Sequence, residues 1–179
     1  ADINMIDDEI FAYMNRYLPE NIGVISVRRV NERFHSRLNA KGKTYCYRII
    51  NSEIPHSFYR RYVLNCPEKL DLGAMKKAAG QLIGTHDFKA FTSNKRSKKS
   101  TVRTIDNIVI DKNDDEIKFT FTGNGFLYHM VRILMGTLLE VGRGEREPES
   151  IKAIMESGLR ENAGELIPAK GLTLMEVRY

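Results

Sequence analysis

Residues 102 to 141 set the strongest limit on the fold. Residues 102 to 111 and 116 to 122 read as two strands, and the intervening 112 to 115 has hairpin length and composition. A Gly-Asn-Gly turn follows at 123 to 125, with Asn124 as candidate N-cap. Next comes a helix expected from about Phe126 to Val141, with Leu127, Met130, Val131, Leu134, Leu138 and Val141 in its apolar stripe. Strands joined by so short a turn pair antiparallel, and a one-sided helix must bury its stripe against them. The segment therefore calls for an α+β fold, with helices on one face of a mostly antiparallel sheet.

The remaining chain fits that plan. Ile6, Ile10, Met14 and Tyr17 have helical spacing, and Leu18 and Pro19 stop the helix. Residues 22 to 30 alternate and read as a strand. Residues 38 to 50 read as another, with Tyr45, Tyr47 and Ile49 on one face. Residues 51 to 67 are irregular, punctuated by Pro55 and Pro67. A helix is expected over 70 to 83, ended by Gly84 as its C-cap. The polar, basic run TSNKRSKKST forms a loop. A short helix carrying Ile151, Ile154 and Met155 follows Pro148, and LTLMEVRY ends the chain as a strand. Strand order is left open by these patterns.

At 179 residues the chain is expected to be one domain with a real core. Its 42% hydrophobic and 28% charged residues exclude collagen-like, coiled-coil and disordered classes. No run of 18 apolar residues occurs, and the acidic opening ADINMIDDEI does not resemble a signal peptide. The first residue is Ala, which suggests a processed product or a piece of a longer protein. Cys46 and Cys66 are expected as free thiols in a reducing cytoplasm. His35, His56, His86 and His129 lack metal-ligand spacing.

The net charge of +5 is unevenly spread. Residues 28 to 48 hold seven basic side chains against Glu32 alone, and residues 85 to 105 hold six against Asp87 alone. These two stretches sum to +11, which leaves −6 for the other 137 residues. Such segregation suits a basic face that attracts a polyanion, nucleic acid being the commonest. Two solvated strand faces and a polar loop are the plainer alternative.

Two groups of residues stand out chemically. Arg132 falls at the edge of the apolar stripe of its helix, where a cation needs an anionic partner, yet the nearest acid in sequence is Glu140. It either anchors a carboxylate or phosphate in a cleft or snorkels to water. Tyr45 and Tyr47 lie between Lys43 and Arg48, a pattern that suits base stacking with phosphate neutralisation, or simply two rings packed in a sheet. No nucleophile elbow, P-loop, zinc-protease or dinucleotide motif is present.

Four segments together resemble the tRNA pseudouridine synthase A family: FHSRLNAKGKTYCYRIIN (34 to 51), GTHDFKAFTS (84 to 93), GNGFLYHMVRILMGTLLEVGRG (123 to 144) and PAKGLTLMEVRY (168 to 179). Their order over about 145 residues makes the match specific. The resemblance implies a pseudouridine synthase fold, a largely antiparallel mixed sheet flanked by helices. It implies a cytoplasmic homodimer that needs no redox cofactor and no catalytic metal. The substrate would be tRNA, with uridines 38 to 40 of the anticodon arm isomerised by breaking the glycosidic bond, turning the base and rejoining it through C5.

The family's nucleophilic aspartate lies in a GRTDxGVH motif that this sequence does not contain. The expectation is that residues 1 to 179 are a C-terminal domain, inactive alone, whose partner half carries that motif. What the resemblance assigns here is the opposite wall of the pocket. Tyr45 would stack on the target base and Arg132 would pair with the missing aspartate. Leu174 would pack on the base, with His129 behind. Arg37, Lys43, Lys95, Arg96, Lys98, Lys99 and Arg103 would contact RNA backbone. Two other classes stay open: a non-catalytic RNA-binding module on the same fold, and a structural or metabolic α+β domain whose basic loop is incidental.

Overall fold

The structure is a computed structural model that describes residues 4 to 94 and 99 to 179. The chain divides into two compact units, residues 1 to 39 and residues 40 to 179.

Among its described residues the first unit has one helix, α1 (Asp7–Tyr17), with Asp7, Asp8 and Glu9 in its first turn and Arg16 in its last. That order complements the helix dipole. The chain leaves the helix at Leu18 in extended conformation, as expected of the residue before a proline. The strand expected over 22 to 30 does not form. The Asn15 carboxamide instead takes the place of a neighbouring strand: its Oδ1 accepts from the Val24 N–H at 2.8 Å and its Nδ2 donates to the Val24 carbonyl at 2.9 Å. Alternation alone does not make a strand when no backbone ladder accompanies it, and Ile25 is left 94% exposed.

The second unit is a six-stranded sheet with helices on one face. Its strands are β1 (Gly42–Ile50), β2 (Leu64–Asn65), β3 (Gly84–Asp87), β4 (Val102–Asn113), β5 (Glu116–Gly123) and β6 (Leu172–Arg178). The path runs β2-β1-β5-β4-β3, with β6 also paired to β1. All pairings are antiparallel except β1 with β2. This is the α+β arrangement expected from the sequence. The β4–β5 hairpin turns at Asp114, whose φ of 51° is tolerable for an aspartate. The strand read as 38 to 50 begins only at Gly42.

Three helices cover the sheet: α2 (Leu72–Gly80), α3 (Met130–Gly142) and α4 (Ser150–Ser157). Asp71 caps α2 by accepting from the Ala74 N–H at 2.9 Å. Gly84, expected to end this helix, instead opens β3 with a φ of +111°, and Gln81 is the C-cap. Strand β3 itself lacks a sequence signal. Its four residues, GTHD, have too little apolar character to mark a strand.

Alternation in the hairpin and β1 decides which face is covered. Tyr47 and Ile49 of β1, Ile117, Phe119 and Phe121 of β5, and Ile110 of β4 are buried against Met75, Ala78, Met130, Ile133, Leu134 and Leu138 of the helices. Val109, Thr120 and Lys118 alternate to the opposite face. Eleven of the thirteen residues of α3 are buried, so it is no one-sided surface helix. Its back is covered by residues 163 to 168. The Gly164 N–H donates to Thr137 Oγ1 at 2.9 Å, and the Glu165 N–H donates to Glu140 at 3.2 Å. Gly136 lies so close to this segment that an added Cβ would sit 2.1 Å from the Glu165 carbonyl oxygen.

Candidate active site

A pocket of about 200 Å³ opens where the start of α3 meets the middle of β1. Tyr45, Phe126, Leu127, His129, Met130, Val131, Arg132, Ala169 and Leu172 line it. The strand alternation that buries Tyr47 completely leaves Tyr45, two residues nearer the strand start, half-buried at the pocket. The two tyrosines therefore differ in place, Tyr47 packed inside and Tyr45 at the pocket. Tyr47 is core, and its hydroxyl donates to the Pro168 carbonyl at 2.6 Å. Burial pushes its phenol pKa up. Tyr45 meets Phe126 edge to face, with ring centroids 5.3 Å apart.

Arg132 reaches the same pocket from the first turn of α3. It finds a carbonyl rather than a carboxylate, its Nε donating to Ile167 O at 2.7 Å. Glu140, its nearest acid in sequence, is engaged elsewhere, accepting from both Nε and a terminal nitrogen of Arg146 at 2.9 and 2.8 Å. Among the described residues Arg132 forms no ion pair with a carboxylate. The guanidinium is thus oriented by one neutral bond, with charge to spare for a further acceptor.

His129 precedes α3 with a φ of 63°, in the left-handed region that non-glycine residues seldom enter. Asn124, expected as the cap of this helix, instead accepts from the Thr104 N–H at 3.0 Å, so the helix starts later than about Phe126. The His129 ring is tied through Nδ1 to Ser93 Oγ at 2.8 Å. Burial, reinforced by the Arg132 charge, lowers its pKa from the ordinary 6.5.

Leu174 pairs with Tyr45 across β1 and β6 but is 47% exposed and does not line the pocket. Leu172, two residues earlier on the same face, does so instead. Phe126, Ala169 and Leu172 are pocket residues that the sequence reading did not single out. The same-face alternation of β6 was the signal available for Leu172. Lys43 shares Tyr45's face of β1. Arg103 lies on β4 beside the turn that leads to Phe126, its Nε 3.8 Å from where a Cβ on Gly125 would stand. Lys99 stands at the edge of a separate polar cleft with Lys89 and Arg160. Arg37 belongs to the first unit, and Lys95, Arg96 and Lys98 lie outside the described residues.

An α+β sheet with a tyrosine and a half-buried arginine at one small pocket is shared by many folds, and comparison with known proteins supplies the family. The tRNA pseudouridine synthase family model matches residues 78 to 179. The chain is 46% identical over 176 residues to a tRNA pseudouridine synthase A of Bacillus sp. (strain KSM-64), covering 98% of this chain and 72% of that protein. It is 44% identical to one from Acetivibrio thermocellus, over 97% of this chain and 72% of the relative. A tRNA pseudouridine synthase A 2 of Clostridium perfringens is 45% identical over 94% of this chain and 69% of its own length. The chain belongs to the tRNA pseudouridine synthase family, a family of isomerases.

Proposed function

We propose that the Tyr45–Arg132 pocket receives a uridine of the tRNA anticodon arm, and that this chain is the C-terminal part of a synthase whose nucleophilic aspartate lies outside residues 1 to 179. The observation that carries this reading is the meeting of Tyr45 and Arg132, 87 positions apart in sequence, in one pocket where the arginine has no acidic partner among the described residues. Isomerisation breaks the bond from C1′ of the ribose to N1 of the base and makes one from C1′ to C5. N1 gains a proton and C5 loses one, so the change is redox-neutral.

Tyr45 offers a planar face to a flipped base, held in orientation by Phe126. Arg132 supplies the counter-charge for an aspartate that approaches C1′. Arg103, Lys43 and Lys99 give the entering RNA strand its cations. In this reading the protein works in the cytoplasm, where its substrate is, and as a homodimer. No helix among the described residues is long and apolar enough to cross a membrane.

Tritium release from C5-tritiated uridine in tRNA tests the proposal. Residues 1 to 179 alone are expected to release none. The same chain joined to an upstream half bearing GRTDxGVH is expected to release it. Turnover by the short chain would place the nucleophile within it and overturn the division of labour. Failure of the joined protein would overturn the function.

A further inference from the structure

Tyr128 and His129 are consecutive, yet their rings are stacked with centroids 3.7 Å apart. Neighbouring side chains in a strand point to opposite faces, and in a helix they diverge by about 100°. The left-handed backbone of His129 removes that divergence and brings the rings together. Two side chains of the segment after Phe91 hold the arrangement. Thr92 Oγ1 donates to the Tyr128 carbonyl at 3.0 Å, and Ser93 Oγ is bonded to His129 Nδ1 at 2.8 Å. A rare backbone conformation secured from outside marks a place where the fold gives up local ease for position.

The result is a layered object at the pocket's rim. His129 lines the pocket, Tyr128 lies against it, and Tyr128 remains 62% exposed. Tyr128 does not itself line the pocket and reaches its edge through the stacked His129 ring. Arg103 of β4 lies beside Gly125, in the turn that leads to Phe126, and adds a cation on that side. Turning one base out of a strand deprives its neighbour of a stacking partner, and an aromatic ring at the mouth of the pocket replaces that partner.

We propose that the open face of Tyr128 is a stacking platform for the nucleobase adjacent to the target uridine, pre-set by the Thr92 and Ser93 contacts. The proposal rests on the uridine-pocket reading above. It gives the pocket a second subsite, selective for a flat, unpaired neighbour and indifferent to base identity.

The test uses the 179-residue chain joined to its upstream half, as the unaltered protein, and a tRNA anticodon stem-loop carrying 2-aminopurine beside the target uridine. The unaltered protein and Tyr128→Phe are expected to bind and to change the 2-aminopurine emission. Tyr128→Leu is expected to bind about 5- to 150-fold more weakly and to leave the emission unchanged. The exposed position keeps the fold intact, which circular dichroism checks, and the Phe variant retains the ring. Equal binding and an equal emission change with Tyr128→Leu overturn the platform alone. So does weaker binding with the emission change retained, since the ring would then act elsewhere. No binding by the unaltered joined protein overturns the tRNA reading beneath it.

Discussion

The rings of Tyr45 and Phe126 stand at 88° to one another with centroids 5.3 Å apart. The contact orients Tyr45 through its ring, and the Tyr45 hydroxyl has no hydrogen-bond partner among the described residues. Ring and hydroxyl are therefore separable by substitution. In the protein joined to its upstream half, Tyr45→Phe should keep the activity if stacking alone matters, whereas Tyr45→Leu should lose it. Tritium release measures both. A Leu variant with full activity would make Tyr45 a structural residue.

Two glycines on neighbouring helices should respond to alanine with opposite signs. At Gly136 the new Cβ would meet the Glu165 carbonyl oxygen at 2.1 Å, and backbone cannot rotate away as a side chain can. Gly136→Ala should cost about 1–3 kcal/mol despite its better helix propensity. At Gly80 nothing lies within 4 Å, so Gly80→Ala should gain about 0.4–1 kcal/mol. Urea denaturation of both variants decides, and a stabilised Gly136→Ala would refute the close approach.

His129 should titrate below 6.5, because burial and the Arg132 charge both disfavour its protonated form. The folded state then binds fewer protons than the unfolded chain as pH falls through 6.5. Stability should therefore be fully present above that pH and decline below it, until the folded value is passed. Proton NMR of the imidazole resonances gives the midpoint. Arg132→Gln should move it upward, and a midpoint above 6.5 in the unaltered protein would contradict the geometry.

Both thiols should be inert in the native protein. Cys46 and Cys66 are buried, and burial together with the Glu68 carboxylate pushes the Cys66 pKa up to about 12. At pH 8 only about one Cys66 in ten thousand would be thiolate. Titration with an aromatic disulfide should find two thiols in denaturant and essentially none before it. Fast native reaction at either position would show that the core opens there.

Replacing Lys95, Arg96, Lys98 and Lys99 by glutamine should weaken tRNA binding and lower its salt dependence. The slope of log K against log salt should fall by about 0.7–0.9 for each phosphate these side chains no longer neutralise. Binding measured at several salt concentrations tests this, and an unchanged slope would leave these residues as ordinary solvated charges.

Local signals in the sequence found the hairpin β4–β5, the three helices of the second unit and the last strand, because each carries its own periodicity. Boundaries failed where a polar side chain had a distant use. Asn124 resembles a helix cap, but its carboxamide serves Thr104, 20 residues away. The expected strand at 22 to 30 failed for the same kind of reason, since Asn15 claims the backbone of Val24. The pocket is non-local throughout. Periodicity could place Tyr45 on a strand and Arg132 at a stripe edge, but only likeness to a family joined them. The likeness points to Leu174, while the pocket is lined by Leu172; how deep each residue sits is not revealed by the pattern of a single strand.

Helix α3 meets residues 163 to 165 backbone against backbone, through Gly136 and Gly164, and the carbonyl that holds Arg132 lies just beyond, at Ile167. Spacing made of main-chain atoms is the same whatever side chains surround it. Leu134 or Leu138 can be exchanged for others of similar volume, and the core can drift over generations, without changing the separation that places the guanidinium. The arginine's position is inherited from the backbone and insulated from mutational turnover in the core.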